Sequence, residues 1–143
     1  MFNALEVLAS GMAAARSRVN VLASNIANAE TTNTPEEGGP YKRRDVVQVA
    51  KDIPGSFSDS LERMTLKKPM VSAVVEDSAP ARLVYQPGHP DADQEGYVAY
   101  PNINVVTTMT DLMSASRLYQ ANVTAVETAR SMQNEASRIL TQA

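Results

Sequence analysis

The fold of this chain is decided by residues Leu5–Ala29, LEVLASGMAAARSRVNVLASNIANA. The seam residues of this stretch recur at alternating steps of three and four: Leu5, Leu8, Met12, Ala15, Val19, Leu22 and Ile26. This spacing is typical of the a/d seam of a coiled coil and predicts a helix. A helix of about 25 residues is about 38 Å long, so it needs a partner along its length.

Residues 102–143 supply a second helix of similar character. Its seam residues also step by four and three: Val105, Met109, Leu112, Ser116, Tyr119, Val123 and Val126, with Met132, Ala136 and Ile139 after a slip in the period. Pro101 precedes this helix, and Asn102 or Asn104 can cap it. The chain leaves the end of the first helix, forms the segment 33–101 and then returns to the same end to begin the second helix. We therefore predict that the two helices pair as an antiparallel coiled coil.

The middle of the chain, 33–101, predicts a small β-hairpin-rich module. Short β-branched or aromatic segments between Gly and Pro turns predict three strands, Tyr41–Val49, Val71–Val75 and Leu83–Tyr85, followed by a short extended segment over Gly96–Pro101. The stretch 50–70 has no strong period and is poorly determined, with a turn at Pro54–Ser56 and helical turns over Ser58–Leu66 as expectations. The chain therefore reads as mainly α, in three parts: a helix over 1–32, a β-rich module over 33–101 and a helix over 102–143.

Charge is distributed unevenly along the chain. The two helical segments, 1–29 and 102–143, together carry 9 charged residues in 71, whereas 30–101 carries 20 in 72. Solvated faces of helices are normally rich in Lys and Glu. In this chain the positions outside the seams are mostly Ala, Ser, Thr, Asn and Gln. This composition indicates helices that are surrounded by neighbouring subunits in an assembly. An Ala-rich helix with no such purpose is the alternative.

Composition excludes several classes of function. There is no Cys and a single His, which leaves no thiolate zinc site and no site with two histidines. The net charge of −3 argues against nucleic-acid binding. No apolar run has the ~18–20 residues that direct membrane insertion needs. The N-terminus lacks the features of a secretory signal, so we expect any export to proceed without a cleaved signal peptide.

Candidate sites are few. His89, Asp91 and Asp93 lie close together in PGHPDAD and could ligate a cation in an enzyme, although acidic residues in such a loop are usually turn formers. No nucleophile, phosphate or dinucleotide motif is present, so we expect no catalytic residue, no cofactor and no enzyme. Asn25 and Asn28 share a face near the end of the first helix. They are either fraying terminal residues or hydrogen-bonding contacts to a neighbouring helix.

Three segments together resemble the flagellar axial proteins of the rod and hook, and most specifically their proximal-rod members. Ser10–Val47 contains the Gly-bearing helix followed by NIANA and TT, and ends in PEEGGPYKRRDVV. Two further segments carry the resemblance: Tyr85–Val106, YQPGHPDADQEGYVAYPNINVV, and Ser114–Met132, SASRLYQANVTAVETARSM. The order and spacing of the three segments match those of the family.

The resemblance implies a structural subunit of the bacterial flagellar basal body that assembles helically in the periplasmic rod, transmits torque, lines the export channel and is required for motility. It implies type III export and, as partners, other copies, proximal and distal rod proteins, and components on the side of the MS ring and export gate. The residues expected to pack in assembly are Leu5, Leu8, Met12, Val19, Leu22, Asn25, Ile26, Asn28, Met109, Leu112, Tyr119, Asn122, Val123 and Val126. A helical adaptor or chaperone of an export system is the alternative function.

Overall fold

The computed structural model describes residues 2–35, 38–52 and 67–142. Four strands lie between two helices along the chain, in the order α1 (Phe2–Ala27), β1 (Arg44–Asp52), β2 (Lys67–Glu76), β3 (Arg82–Tyr85), β4 (Tyr97–Tyr100) and α2 (Val105–Gln142). The fold is mostly helical, with two small antiparallel hairpins between the helices, as predicted. The expectations for Pro54–Ser56 and Ser58–Leu66 fall outside the described residues.

The ends of the helices follow local hydrogen bonding. Helix α1 begins at Phe2 and already includes Asn3. Helix α2 begins where one was expected, because the Oδ1 of Asn104 accepts the backbone N–H of Thr107 at 3.1 Å. The carbonyl of Asn104 also accepts the N–H of Thr108 at 2.9 Å. Asn104 is therefore the N-cap, and Asn102 lies outside the helix.

The strands form two separate two-stranded sheets. Strands β1 and β2 pair antiparallel from Arg44 opposite Glu76 to Asp52 opposite Lys67, with an irregularity in register after Val47. Strands β3 and β4 pair from Arg82 opposite Tyr100 to Tyr85 opposite Tyr97. The first strand begins at Arg44 rather than Tyr41. The reason is that the N–H of Tyr41 bonds the carbonyl of Thr31 and ties that residue to the loop after α1.

Helix α1 is the element around which the others pack. It contacts α2 along one side and both strands of the β1–β2 hairpin along another. The buried apolar residues of the described chain are nearly all small: Ala14, Ala15, Leu22, Ala29, Val98 and Ala115. Alanine side chains let neighbouring elements approach closely but remove little apolar surface from water. The chain therefore has close contacts and only a small core of its own.

Helix α2 extends past its partner. It has 38 residues, 12 more than the 26 of α1. The overhang, defined here as Arg130–Ile139, has every side chain exposed except that of Gln133, which is partly buried. Burial alternates along the earlier part of α2, so this change marks where the contact with α1 ends.

The backbone at Gly96 gives a test of the second hairpin. Its φ of 84° lies in the left-handed region, and a Cβ there would sit 2.9 Å from Cε2 of Tyr85. We expect Gly96→Ala to lower the free energy of unfolding by about 2–3 kcal/mol, through backbone strain and this clash. Urea unfolding followed by tyrosine fluorescence measures the loss.

The matched control is Gly88→Ala in the same loop region, where a Cβ meets nothing within 4 Å. Equal destabilisation by the two substitutions would contradict the role of Gly96.

Candidate assembly interface

Asn25 joins the end of α1 to the start of β1. Its side chain is 1% exposed. The Nδ2 group donates to the carbonyl of Arg44 at 2.7 Å, and Oδ1 accepts the N–H of the same residue at 2.9 Å. The amide side chain thus occupies the place of a strand partner at Arg44. The hydroxyl of Tyr41 also donates to Oδ1, at 3.1 Å, so this buried amide has three hydrogen bonds.

The chain between Asn25 and Arg44 is held by further short-range bonds. Asn28 donates its Nδ2 to the carbonyl of Ser24 at 2.9 Å and accepts the hydroxyl of Thr31 at 3.2 Å. Thr34 bonds the carbonyl of Gly39 through both its N–H and its hydroxyl. Asn28 therefore serves the turn after α1 within its own chain, whereas Asn25 makes a tertiary contact.

The helices approach closely at Gly11. A Cβ built on this glycine would lie 3.3 Å from Nδ2 of Asn122 on α2. The absence of a side chain at Gly11 makes room for the amide of Asn122 against α1. An interior glycine lowers the stability of a helix, and here the close approach of the second helix offsets that loss.

The face that α2 turns toward α1 differs from the predicted seam. The residues that step by four and three and are buried or partly buried are Thr108, Leu112, Ala115, Tyr119, Asn122, Val126 and Ala129. Val105 and Met109, which the spacing placed on the seam, are 37% and 52% exposed. The prediction was wrong at these two positions. The observed face keeps Leu112, Tyr119 and Val126 of the seam, but Thr108, Ala115 and Asn122 lie on it in place of Val105 and Met109.

The predicted packing residues are distributed as follows. Leu22 and Asn25 are buried, and Met109 is exposed. The remainder are partly buried: Leu5, Leu8, Met12, Val19, Ile26, Asn28, Leu112, Tyr119, Asn122, Val123 and Val126.

The loop that suggested a cation site is organised by its own hydrogen bonds. Nδ1 of His89 accepts the N–H of Asp91, and the carboxylate of Asp91 accepts the hydroxyl of Thr32 at 2.7 Å. Oδ1 of Asp93 accepts the N–H groups of Glu95 and Tyr97. These carboxylates therefore form turns and tie the loop to the end of α1. Within residues 2–35, 38–52 and 67–142, no group of three or more potential ligands is arranged for a metal, and neither helix is long and apolar enough to cross a membrane.

The two helices coincide with matches to flagellar families. The family described as "Flagella basal body rod protein" matches residues 5–33, and the family described as "Flagellar basal body rod FlgEFG protein C-terminal" matches residues 94–139. The flagellar basal-body rod protein FlgC of Salmonella typhimurium is 41% identical over 132 residues, which is 92% of each chain. The chain belongs to the FlgC family of flagellar basal-body rod proteins.

The relationship reaches distant bacteria. The FlgC proteins of Borreliella burgdorferi and Bacillus subtilis are each 38% identical to this chain, over 98% and 96% of its length and 97% of theirs. The FlgC family consists of structural rod proteins and is not known to be enzymatic.

The tertiary role of Asn25 can be tested by truncation. Asn25→Ala leaves both backbone groups of Arg44 without their partner, and we expect the free energy of unfolding to fall by about 2–4 kcal/mol. Amide hydrogen exchange at Arg44 should accelerate with it. The control is Asn20→Ala, at an exposed position of the same helix; an equal loss there would contradict this role.

The close approach at Gly11 can be tested by adding volume. Gly11→Leu should destabilise the chain by about 2 kcal/mol although leucine favours helices, because its side chain displaces Asn122. Far-UV circular dichroism in urea measures this. Ala9→Leu, on the exposed side of α1, should change stability by only about 0.5 kcal/mol. A neutral Gly11→Leu variant would show that the helices do not need this contact.

Proposed function

We propose that this protein is a structural subunit of the proximal rod of the bacterial flagellar basal body, assembling helically with copies of itself and with other rod proteins. The main support for this proposal is that the exposed surfaces of α1 and α2 carry few charged residues, in a chain that belongs to a family of rod proteins. On α2 alone the exposed large apolar side chains include Val106, Met109, Met113, Leu118, Met132 and Ile139. Val106 is 75% exposed. A rod subunit covers such residues with its neighbours, which removes apolar area from water.

The hydroxyl groups of α2 support burial by neighbours. Thr110, Ser114, Thr124 and Thr128 are exposed, yet each donates its hydroxyl to the backbone carbonyl four residues earlier, at 2.9–3.1 Å. A hydroxyl that is already bonded within its helix loses less hydrogen bonding when a neighbour displaces water. These side chains therefore suit a surface that becomes covered on assembly.

In the proposed rod subunit, the helical segments and the β-rich module have different roles. Residues 1–32 and 102–143 are axial helices that pair as an antiparallel coiled coil, and residues 33–101 form a β-rich module that faces outward or contacts the next subunit. The axial helices pack around the export channel and transmit torque. Their packing residues are those predicted above, Met109 included, since its exposure within one chain leaves it available to a neighbour.

Partners and location follow from the same proposal. The subunit is exported by the flagellar type III system without cleavage and assembles in the periplasm. Its neighbours are proximal rod proteins, distal rod proteins above and components on the MS-ring and export-gate side below. An export adaptor or chaperone would instead need solvated, charged outer faces on its helices.

Deletion of the gene in the native bacterium tests the function. We expect non-motile cells whose isolated basal bodies lack a rod in electron micrographs, with both defects restored by the wild-type gene. The Gly88→Ala variant should restore them as well. Rods of normal appearance in the deletion strain would contradict a structural role, and rods that assemble but lack other exported proteins would point to the adaptor.

A further inference from the structure

A groove follows α1 where α2 and the β1–β2 hairpin diverge on either side of it. The α1–α2 groove, as we call it, runs along α1 from Val7 to Arg18 and has a volume of about 380 Å³. Its floor consists of small residues, Gly11, Ala14, Ala15 and Ala115, while Leu8, Leu118 and Pro69 are among the larger side chains that line it. The 54% exposure of Leu118 shows that one apolar side of this groove faces solvent.

The overhang of α2 has the complementary shape. Met132, Ala136 and Ile139 step by four and three and so form one apolar stripe on this segment. Met132 and Ile139 are each 64% exposed. The overhang, with its ten residues, is about 15 Å long, and the groove from Val7 to Arg18 is about 17 Å long. Because α2 is continuous from Val105 to Gln142, the overhang cannot turn back onto the groove of its own chain.

We propose that the α1–α2 groove of one copy receives the overhang of a second copy, with Met132 and Ile139 inserted over the small residues of the floor. This inference rests on the proposed function in that copies of the chain assemble with one another. It adds which surfaces meet. The two surfaces differ, so the contact is head-to-tail and leaves a free groove and a free overhang at the ends of every chain of copies, as an open polymer needs.

Charge identifies the side of the overhang that lies near α1. Arg18 lines the groove and forms no ion pair within the described part of the chain. Glu135 flanks the apolar stripe of the overhang and lies 4.0 Å from Arg138 on the same helix, with its side chain 69% exposed. In the head-to-tail contact Glu135 of one copy pairs with Arg18 of the other. Asp111 of α2 also lines the groove and would repel Glu135, so the pairing with Arg18 places Glu135 along the α1 wall.

Charge reversal tests the contact on the full-length chain, with self-association measured by analytical ultracentrifugation. Arg18→Glu and Glu135→Arg should each weaken association by at least about fivefold, and their combination should restore it. The matched controls are Arg117→Glu and Glu127→Arg, exposed reversals on α2 that lie outside both surfaces. They should leave association unchanged.

Removal of the apolar stripe gives a second, independent variant. Met132→Ser with Ile139→Ser should weaken association by at least about tenfold without altering helix content, because both side chains are exposed within the chain. Circular dichroism confirms that the variant folds.

Cross-linking locates the contact directly, since the chain contains no cysteine of its own. A benzophenone maleimide attached to Ile139→Cys, in a mixture of ¹⁵N-labelled and unlabelled chains, should give mixed-isotope adducts on Val7–Arg18 or Ser114–Asn122. Adducts confined to the β3–β4 hairpin or to Val105–Met109, which lie outside the groove, would overturn the inference. Association that is insensitive to all of these variants would also overturn it while leaving the rod assignment intact. A chain that never self-associates, alone or with rod partners, contradicts the proposed function as well.

Discussion

The main constraint on this structure is that one helix has to serve two partners at once. Helix α1 lies against α2 on one side and against the β1–β2 hairpin on another. Two elements can approach the same helix closely only if its side chains are small, and Gly11, Ala14 and Ala15 provide this. Small side chains bury little apolar surface, so the single chain obtains close contacts at the cost of a substantial core. That trade leaves large apolar residues of α2 at the surface.

Asn25 supplies the directional bond that such weak packing lacks. Alanine contacts alone would allow a strand to slide along a helix, because they have no preferred register. The side-chain amide of Asn25 bonds both the N–H and the carbonyl of Arg44, and its Oδ1 also accepts the hydroxyl of Tyr41. A buried amide that is hydrogen-bonded in only one arrangement favours that arrangement, since any other leaves it unpaired. The hairpin is positioned on α1 by this residue together with the ion pair of Lys68 with Glu6.

The membership of the FlgC family explains why a chain with so small a core is organised this way. An assembling subunit obtains its remaining burial from its neighbours, and the exposed residues of α2 are suited to that. Its hydroxyl groups bond their own helix, its charges are sparse, and its last turns extend beyond α1. These features would be liabilities in a chain that functions alone.

The sequence alone predicted the two long helices, the hairpins between them and the family. It did so because local periodicity, capping residues and Gly-Pro turns act over a few residues, and because the motifs at both ends are long. The face of α2 that meets α1 became evident only from the packing of the folded chain. The spacing of apolar residues predicted Val105 and Met109 on the face that meets α1. In the structure, where the helices approach closely at Gly11, that face has Thr108, Ala115 and Asn122 instead. The bond between Asn25 and Arg44 likewise joins residues 19 apart. No local pattern encodes that separation, because it depends on how the intervening loop closes.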